Sequence, residues 1–152
     1  MKVVIRPTKF SDISQLMKLN QEALPENYTQ EFWSQKFYEG KSHSFVAVGA
    51  GEVIGYAFCD KELLISFALT EKFRNKGIGK QLMYHCLNTF TTPVSLHVRV
   101  SNEVALKLYK SVGFKEDKKI VEYYVNPVED AFEMKWEPTG IKYKETKKLK
   151  VK

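Results

Sequence analysis

With 152 residues the chain has the length of one domain, and 43% apolar against 28% charged residues is the balance of a globular core under a solvated surface. No run of 18 apolar residues occurs, so no helical membrane span is expected, and the two cysteines, Cys59 and Cys86, lack CxxC or Cys/His spacing. They read as buried free thiols of a reducing, cytoplasmic compartment, with no metal. The net charge of +6 is lopsided: six lysines and one glutamate fall between Thr139 and Lys152, leaving only +1 for residues 1–138. This argues against a nucleic-acid-binding body and divides the chain into a near-neutral domain, 1–138, and a basic tail, 139–152, expected to be solvated and flexible.

In chain order, Val3 to Arg6 reads as a first strand, and its early charges argue against a signal peptide. Ser11 or Asp12 caps a helix with Ile13, Leu16, Met17, Asn20 and Leu24 on one face, ended by Pro25. Gln30 to Glu39 is an aromatic-rich helix closed by Gly40. Ser44 to Val48 and Glu52 to Cys59 form a hairpin around Gly49-Ala50-Gly51, and Glu62 to Leu69 is a further strand. A helix from Gly77 to Phe90, a strand from Val94 to Arg99 and a helix from Asn102 to Ser111 follow. Two strands, Phe114 to Val121 and Ala131 to Trp136, turn around Asn126-Pro127. The strand–helix–strand unit between 62 and 99 predicts locally parallel strands, and the hairpins antiparallel ones. The expected fold is α/β, a mixed and mostly antiparallel sheet with helices on both faces.

The stretch Leu69-Thr70-Glu71-Lys72-Phe73-Arg74-Asn75-Lys76-Gly77-Ile78-Gly79-Lys80 leaves a strand and enters a helix. Two glycines at i and i+2 let the backbone approach a ligand, and a helix N-terminus with Arg74, Lys76 and Lys80 beside it is a cradle for a pyrophosphate. The alternative is a basic loop that merely caps a helix. The pattern is not GxxxxGK[ST], which disfavours a nucleoside-triphosphate loop.

Followed by the strand and helix Val94-Ser95-Leu96-His97-Val98-Arg99 and Asn102-x-x-Ala105-x-x-Leu108-Tyr109-x-x-x-Gly113-Phe114, this RxxGxG loop resembles the GNAT N-acetyltransferase superfamily. The resemblance implies acetyl-CoA as cofactor and two parallel central strands that splay. Backbone at Phe67 and Leu69 would hydrogen-bond the pantetheine arm, Arg74, Asn75, Lys76, Gly77, Ile78, Gly79 and Lys80 would hold the pyrophosphate, and Asn102 would line the arm. Leu24-Pro25-Glu26-Asn27-Tyr28, the Val94–Asn102 block, Tyr123-Tyr124 and Glu129-Asp130-Ala131 further resemble the catalytic chains of NatA-type N-terminal protein acetyltransferases, over roughly residues 3–137. The chain departs from that pattern in three places. Asn75 stands where a second arginine is usual, the turn near Asp60-Lys61 is shorter, and Leu63 stands where a related branch has a catalytic tyrosine.

Acetyl transfer to an amine needs a base for the amine, a donor for the carbonyl oxygen and a proton for the leaving thiolate. By resemblance Glu26 is catalytic, Tyr109 donates to the thiolate, and Leu24, Pro25, Tyr28, Tyr123 and Tyr124 flank the peptide. His97 shares a strand face with Ser95 and Arg99, and an imidazole suits base work through water near neutral pH; the alternative is a hydrogen-bonded structural histidine. Adjacent strand residues point to opposite faces, so only one of Tyr123 and Tyr124 is expected in the groove unless the strand has ended. His43 and His85 receive no role. The expected partners are a protein or peptide N-terminus as substrate and, by resemblance, a helical-repeat auxiliary subunit. The ribosome or another acidic surface could be met through the tail, while no membrane and no nucleic acid is expected for the body. Lysine or small-amine acetylation, and a non-catalytic acyl-CoA-binding role, stay open at this stage.

Overall fold

The computed structural model describes residues 1–40 and 43–151. Its elements are β1 (Lys2–Pro7), α1 (Ile13–Ala23), α2 (Gln30–Gly40), β2 (Phe45–Gly49), β3 (Glu52–Asp60), β4 (Leu63–Leu69), α3 (Ile78–Leu87), β5 (Val94–Arg99), α4 (Glu103–Ser111), β6 (Lys115–Val125), β7 (Val128–Trp136) and β8 (Lys148–Lys150). They form one sheet in the order β6-β7-β5-β4-β3-β2-β1-β8, antiparallel throughout except between β4 and β5. The turn between β2 and β3 has positive φ at Ala50 and Gly51, the geometry that matches strand twist in a tight hairpin.

Strand alternation divides the core in two. Val3, Ile5, Ala47, Ala57 and Cys59 face α3 and α4, packing on Ile78, Leu82, Met83 and Leu106. Val46, Tyr56, Phe58 and Ala68 face the other way and meet Ile13, Leu16 and Leu19 of α1 and Trp33 and Phe37 of α2. The expected mixed sheet with helices on both faces is what forms. α1 stops at Ala23 with Leu24 extended, as a residue before proline must be. Cys59 and Cys86 are buried free thiols with Sγ atoms 3.2 Å apart, linking β3 to α3.

The feature that makes room for a site lies at the centre. β5 is paired to β7 along its whole length, but to β4 only at Leu63↔Ser95 and Leu64↔Leu96. A register shift against β3, between the Phe58↔Ser66 and Cys59↔Leu64 pairs, bulges β4 at Ile65. A bulge bends its strand, so β4 turns away from β5 beyond this point and the two splay.

The expected flexible tail is instead docked. Tyr143 donates its hydroxyl to the Val112 carbonyl at 2.6 Å and stacks on Tyr84. Asn88, just past the end of α3, and Gln81 of α3 take the backbone of Tyr143 and Thr146, and β8 pairs with β1 in register Val3↔Leu149. Val151 is buried. The lysines from Lys142 to Lys150 are exposed while Tyr143, Leu149 and Val151 turn in, so the charge count concealed a period-2 pattern over residues 148–151. His85, given no role from sequence, is buried against this segment, with Nδ1 3.0 Å from a Glu145 carboxylate oxygen and Nε2 3.2 Å from the Thr146 carbonyl. Deleting residues 139–152 is therefore expected to lower Tm by roughly 5–10 °C, read by thermal melting. Turnover of short peptides at low temperature should persist, because the docked segment lies on α3 and β1, away from the β4–β5 gap. An unchanged Tm would mean the segment is not held in solution.

Candidate active site

The splay opens a groove of about 1230 Å³ that runs between α3 and α4 at one end and the α1–α2 loop and β6–β7 hairpin at the other. At the first end the chain leaves β4 through a single tight helical turn, Glu71–Phe73, and enters α3. Asn75 (φ 62) and Gly77 (φ 83) both adopt left-handed backbone there. Gly77 is the N-cap of α3, and a Cβ built on it would meet nothing within 4 Å, so the approach to the helix N-terminus is open. Gly79 is needed for a different reason: a Cβ there would lie 3.3 Å from the Phe67 ring, where α3 presses on β4. Arg74, Asn75, Gly77, Gly79 and Lys80 line the groove. Ile78, expected in this cradle, sends its side chain into the core and is fully buried, so only its backbone is available. Arg74 donates Nε to the Leu69 carbonyl at 3.2 Å, which ties the loop to the strand it left.

The residues fit a coenzyme A. An open helix N-terminus flanked by cations suits a pyrophosphate, and the β5-facing edge of β4 from Ile65 to Leu69, unpaired in the sheet, offers Phe67 and Leu69 backbone to an extended arm. Asn102 lines the groove and also caps α4, its Oδ1 accepting from the Ala105 N–H at 3.2 Å. Tyr109, on α4, packs edge-on against Phe67 and Phe114 and lines the groove. Burial raises its pKa well above the ordinary phenol value, so it keeps its proton as a donor.

At the other end stand Glu26, His97, Tyr28, Tyr123 and Tyr124, brought together from three separate segments. Glu26 lies in the irregular Leu24–Thr29 loop, and the side chain that fixes it was missed from sequence. Arg99, at the end of β5, places Nε 2.9 Å and one terminal nitrogen 2.6 Å from the same Glu26 carboxylate oxygen. Its remaining N–H groups reach the Pro127 carbonyl (2.9 Å), Glu129 (3.1 Å) and the Asn126 carbonyl (3.2 Å). Glu129 in turn accepts from the Ser101 N–H at 2.8 Å. Burial works against the charge of Arg99, yet the bonds to Glu26 and Glu129 raise its pKa above the usual value. Contacts from Ser101, then from Arg99, hold the Glu129 carboxyl below the usual range. The signal that could have found Arg99 was its position on the same strand face as His97.

Both tyrosines of the 123–124 pair face the groove, against the expectation of one. β6 does not end at Val121 but continues to Val125, and its register against β7 shifts by two between Ile120↔Ala131 and Tyr124↔Glu129. Glu122, at φ 52, absorbs the shift, its N–H held by Asp130 at 2.8 Å. This bulge re-aims the chain: Tyr123 stacks on His97 with centroids 4.6 Å apart, and Tyr124 lies under the Arg99 guanidinium at 4.3 Å. Tyr28 stacks on Phe32 and meets Trp33 edge-on, forming the opposite wall; burial, with Tyr123 and Glu26 nearby, raises its pKa, as burial does for Tyr124. Leu63 lines the groove as an apolar side chain at its foot.

An open helix N-terminus flanked by cations, a cleft between two splayed parallel strands, and a carboxylate and an imidazole at the far end of the same cleft define an acyl-group transferase working from a coenzyme thioester. The chain belongs to the acetyltransferase (GNAT) family, whose model matches residues 13–114. It is 35% identical to an N-alpha-acetyltransferase of Sulfurisphaera tokodaii, over 86% of this chain and 90% of that one. It is 34% identical to the N-terminal acetyltransferase complex ARD1 subunit homolog of Dictyostelium discoideum, over 87% and 71%. Among solved structures, the crystal structure of the NatC complex bound to Gag peptide and CoA superposes with a TM-score of 0.83 at 22% identity, covering 91% of this chain and 100% of that one. The GNAT fold and the likeness to NatA-type catalytic chains, expected from the motifs, both stand.

Proposed function

We propose that this chain is a cytoplasmic, acetyl-CoA-dependent N-alpha-acetyltransferase acting on the free N-terminus of proteins and peptides. The observation that carries the reading is that the groups able to handle an amine and the glycine loop able to hold a pyrophosphate border one continuous groove, joined where β4 and β5 part. Relatives named N-alpha-acetyltransferase support it. Acetyl-CoA supplies the acetyl group as a thioester open to attack by a neutral amine. Arg74, Asn75, Gly77, Gly79 and Lys80, with backbone at Lys76 and Ile78, hold the pyrophosphate. Glu26 and His97 take the amine proton through water, and Tyr109 gives its phenolic proton to the departing sulfur. Tyr28, Tyr123 and Tyr124, with Leu24 and Pro25, wall the peptide. A helical-repeat auxiliary subunit fits this reading, since a solved neighbour comes from the NatC complex.

Protonation favours N-termini over lysines. An α-amino group is about one-tenth neutral at pH 7, whereas a lysine amine is neutral in only about one part in 2,500. A modest base therefore suffices for N-termini. Peptides with a free Ser, Ala or acidic N-terminus are expected to be acetylated, and N-terminally blocked copies with internal lysines to be poor substrates, with mass spectrometry locating the acetyl group. Equal or faster modification of the blocked peptide would assign the chain to lysines instead.

A further inference from the structure

The last turn of α1 buries an amide where the helix's apolar stripe would take a leucine. Asn20, in line with Ile13 and Leu16, is 1% exposed, and its Oδ1 is buried without a hydrogen-bond partner among the described residues. Such an orphaned acceptor is unfavourable, so the residue is held there by what its other end does. Its Nδ2 is fully used, donating to the Glu26 carbonyl at 3.0 Å and to the Tyr56 hydroxyl at 3.3 Å. Tyr56, fully buried on β3, stands 2.7 Å from the Ser66 hydroxyl on β4. Either hydroxyl can be the donor in that bond, and in both cases it links Asn20 through Tyr56 to Ser66. Ser66 lines the groove one residue beyond the bulge at Ile65. Burial pushes the Tyr56 phenol up to about 12, so the hydroxyl stays protonated within the chain.

We propose that Asn20, Tyr56 and Ser66 are positioning residues: a buried hydrogen-bonded chain that fixes the main chain at Glu26 to the groove wall on β4. The loop that carries Glu26 has no regular structure of its own. Arg99 holds its carboxylate from one side, and Asn20 holds its backbone from the other. The proposal rests on the role given to Glu26 above, and the test separates the two.

Asn20→Leu continues the apolar stripe with the same branched shape and removes the orphaned Oδ1. It is expected to keep or raise Tm and to leave coenzyme A affinity unchanged by calorimetry, yet to lower kcat on an N-terminal serine peptide by about tenfold. A purely structural residue would move Tm and kcat together. In a Glu26→Gln background the same change should cost nothing further, because the chain acts through Glu26. Tyr56→Phe keeps the ring in its packing and carries the same comparison if Asn20→Leu does not fold. Wild-type kcat in the folded variant, or a tenfold loss that persists in the Glu26→Gln background, overturns the proposal alone. A wild-type chain that modifies no peptide amine overturns the reading beneath it as well.

Discussion

An Arg99→Lys variant is expected to fold but to lose about 100-fold in kcat on N-terminal peptides, with coenzyme A affinity unchanged. All five N–H groups of the guanidinium are committed: two to one Glu26 oxygen, one to Glu129, and two to the carbonyls of Asn126 and Pro127. Lysine brings three donors on a point charge and cannot span acceptors that diverge this widely. The side chains of Arg99 and Glu26 are 11% and 30% exposed, so this is neither a surface pair of negligible value nor a fully dry one. What lysine loses is geometry. Glu26 would keep a cation nearby but not its orientation, and the β6–β7 hairpin carrying Tyr123 and Tyr124 would lose its anchor to β5. Steady-state kinetics beside calorimetric titration with coenzyme A reads both halves; kcat near wild type would mean that Glu26 is placed without the clamp. The clamp should also loosen in acid. The folded pKa of Glu129 lies below its unfolded value, so its contribution is present above the unfolded pKa and lost as pH falls through the folded one.

Gly77→Asp is expected to lower coenzyme A affinity by two to three orders of magnitude, roughly what a unit charge facing a pyrophosphate at contact distance costs. Gly77 sits at φ 83 as the N-cap of α3, with open space where its Cβ would be. The variant therefore meets no clash in the free protein; its cost in stability is that of a left-handed aspartate, about 1 kcal/mol. The carboxylate would occupy the space through which a phosphate reaches the helix N-terminus. Gly77→Ala separates the causes, since it carries the same backbone strain and a smaller obstruction without charge. Its affinity should fall between those of the wild type and Gly77→Asp. Calorimetry on variants with native thermal melts is the measurement, and undiminished affinity in folded Gly77→Asp would remove the loop from the cofactor site.

What the sequence by itself determined are the features written in short-range backbone chemistry. Pro25 ends α1 through its steric demand on Leu24, and the Gly77 and Gly79 loop is legible because left-handed backbone and close helix–strand contact are properties of neighbouring residues. The two-sided sheet followed from alternation in strands and 3.6-residue spacing in helices. Other features were decided only when distant segments met. Arg99 and Glu26 are 73 residues apart, and nothing near either one marks the other as its partner. Tyr123 and Tyr124 share the groove because a bulge at Glu122 breaks the alternation that strand periodicity assumes. The basic segment after Thr139 docks because Leu149 and Val151 find an open edge at β1, while its lysines from Lys142 to Lys150 stay exposed. An edge, a clamp and a bulge depend on which strands lie side by side, and that order is a property of the folded chain rather than of any local window within it.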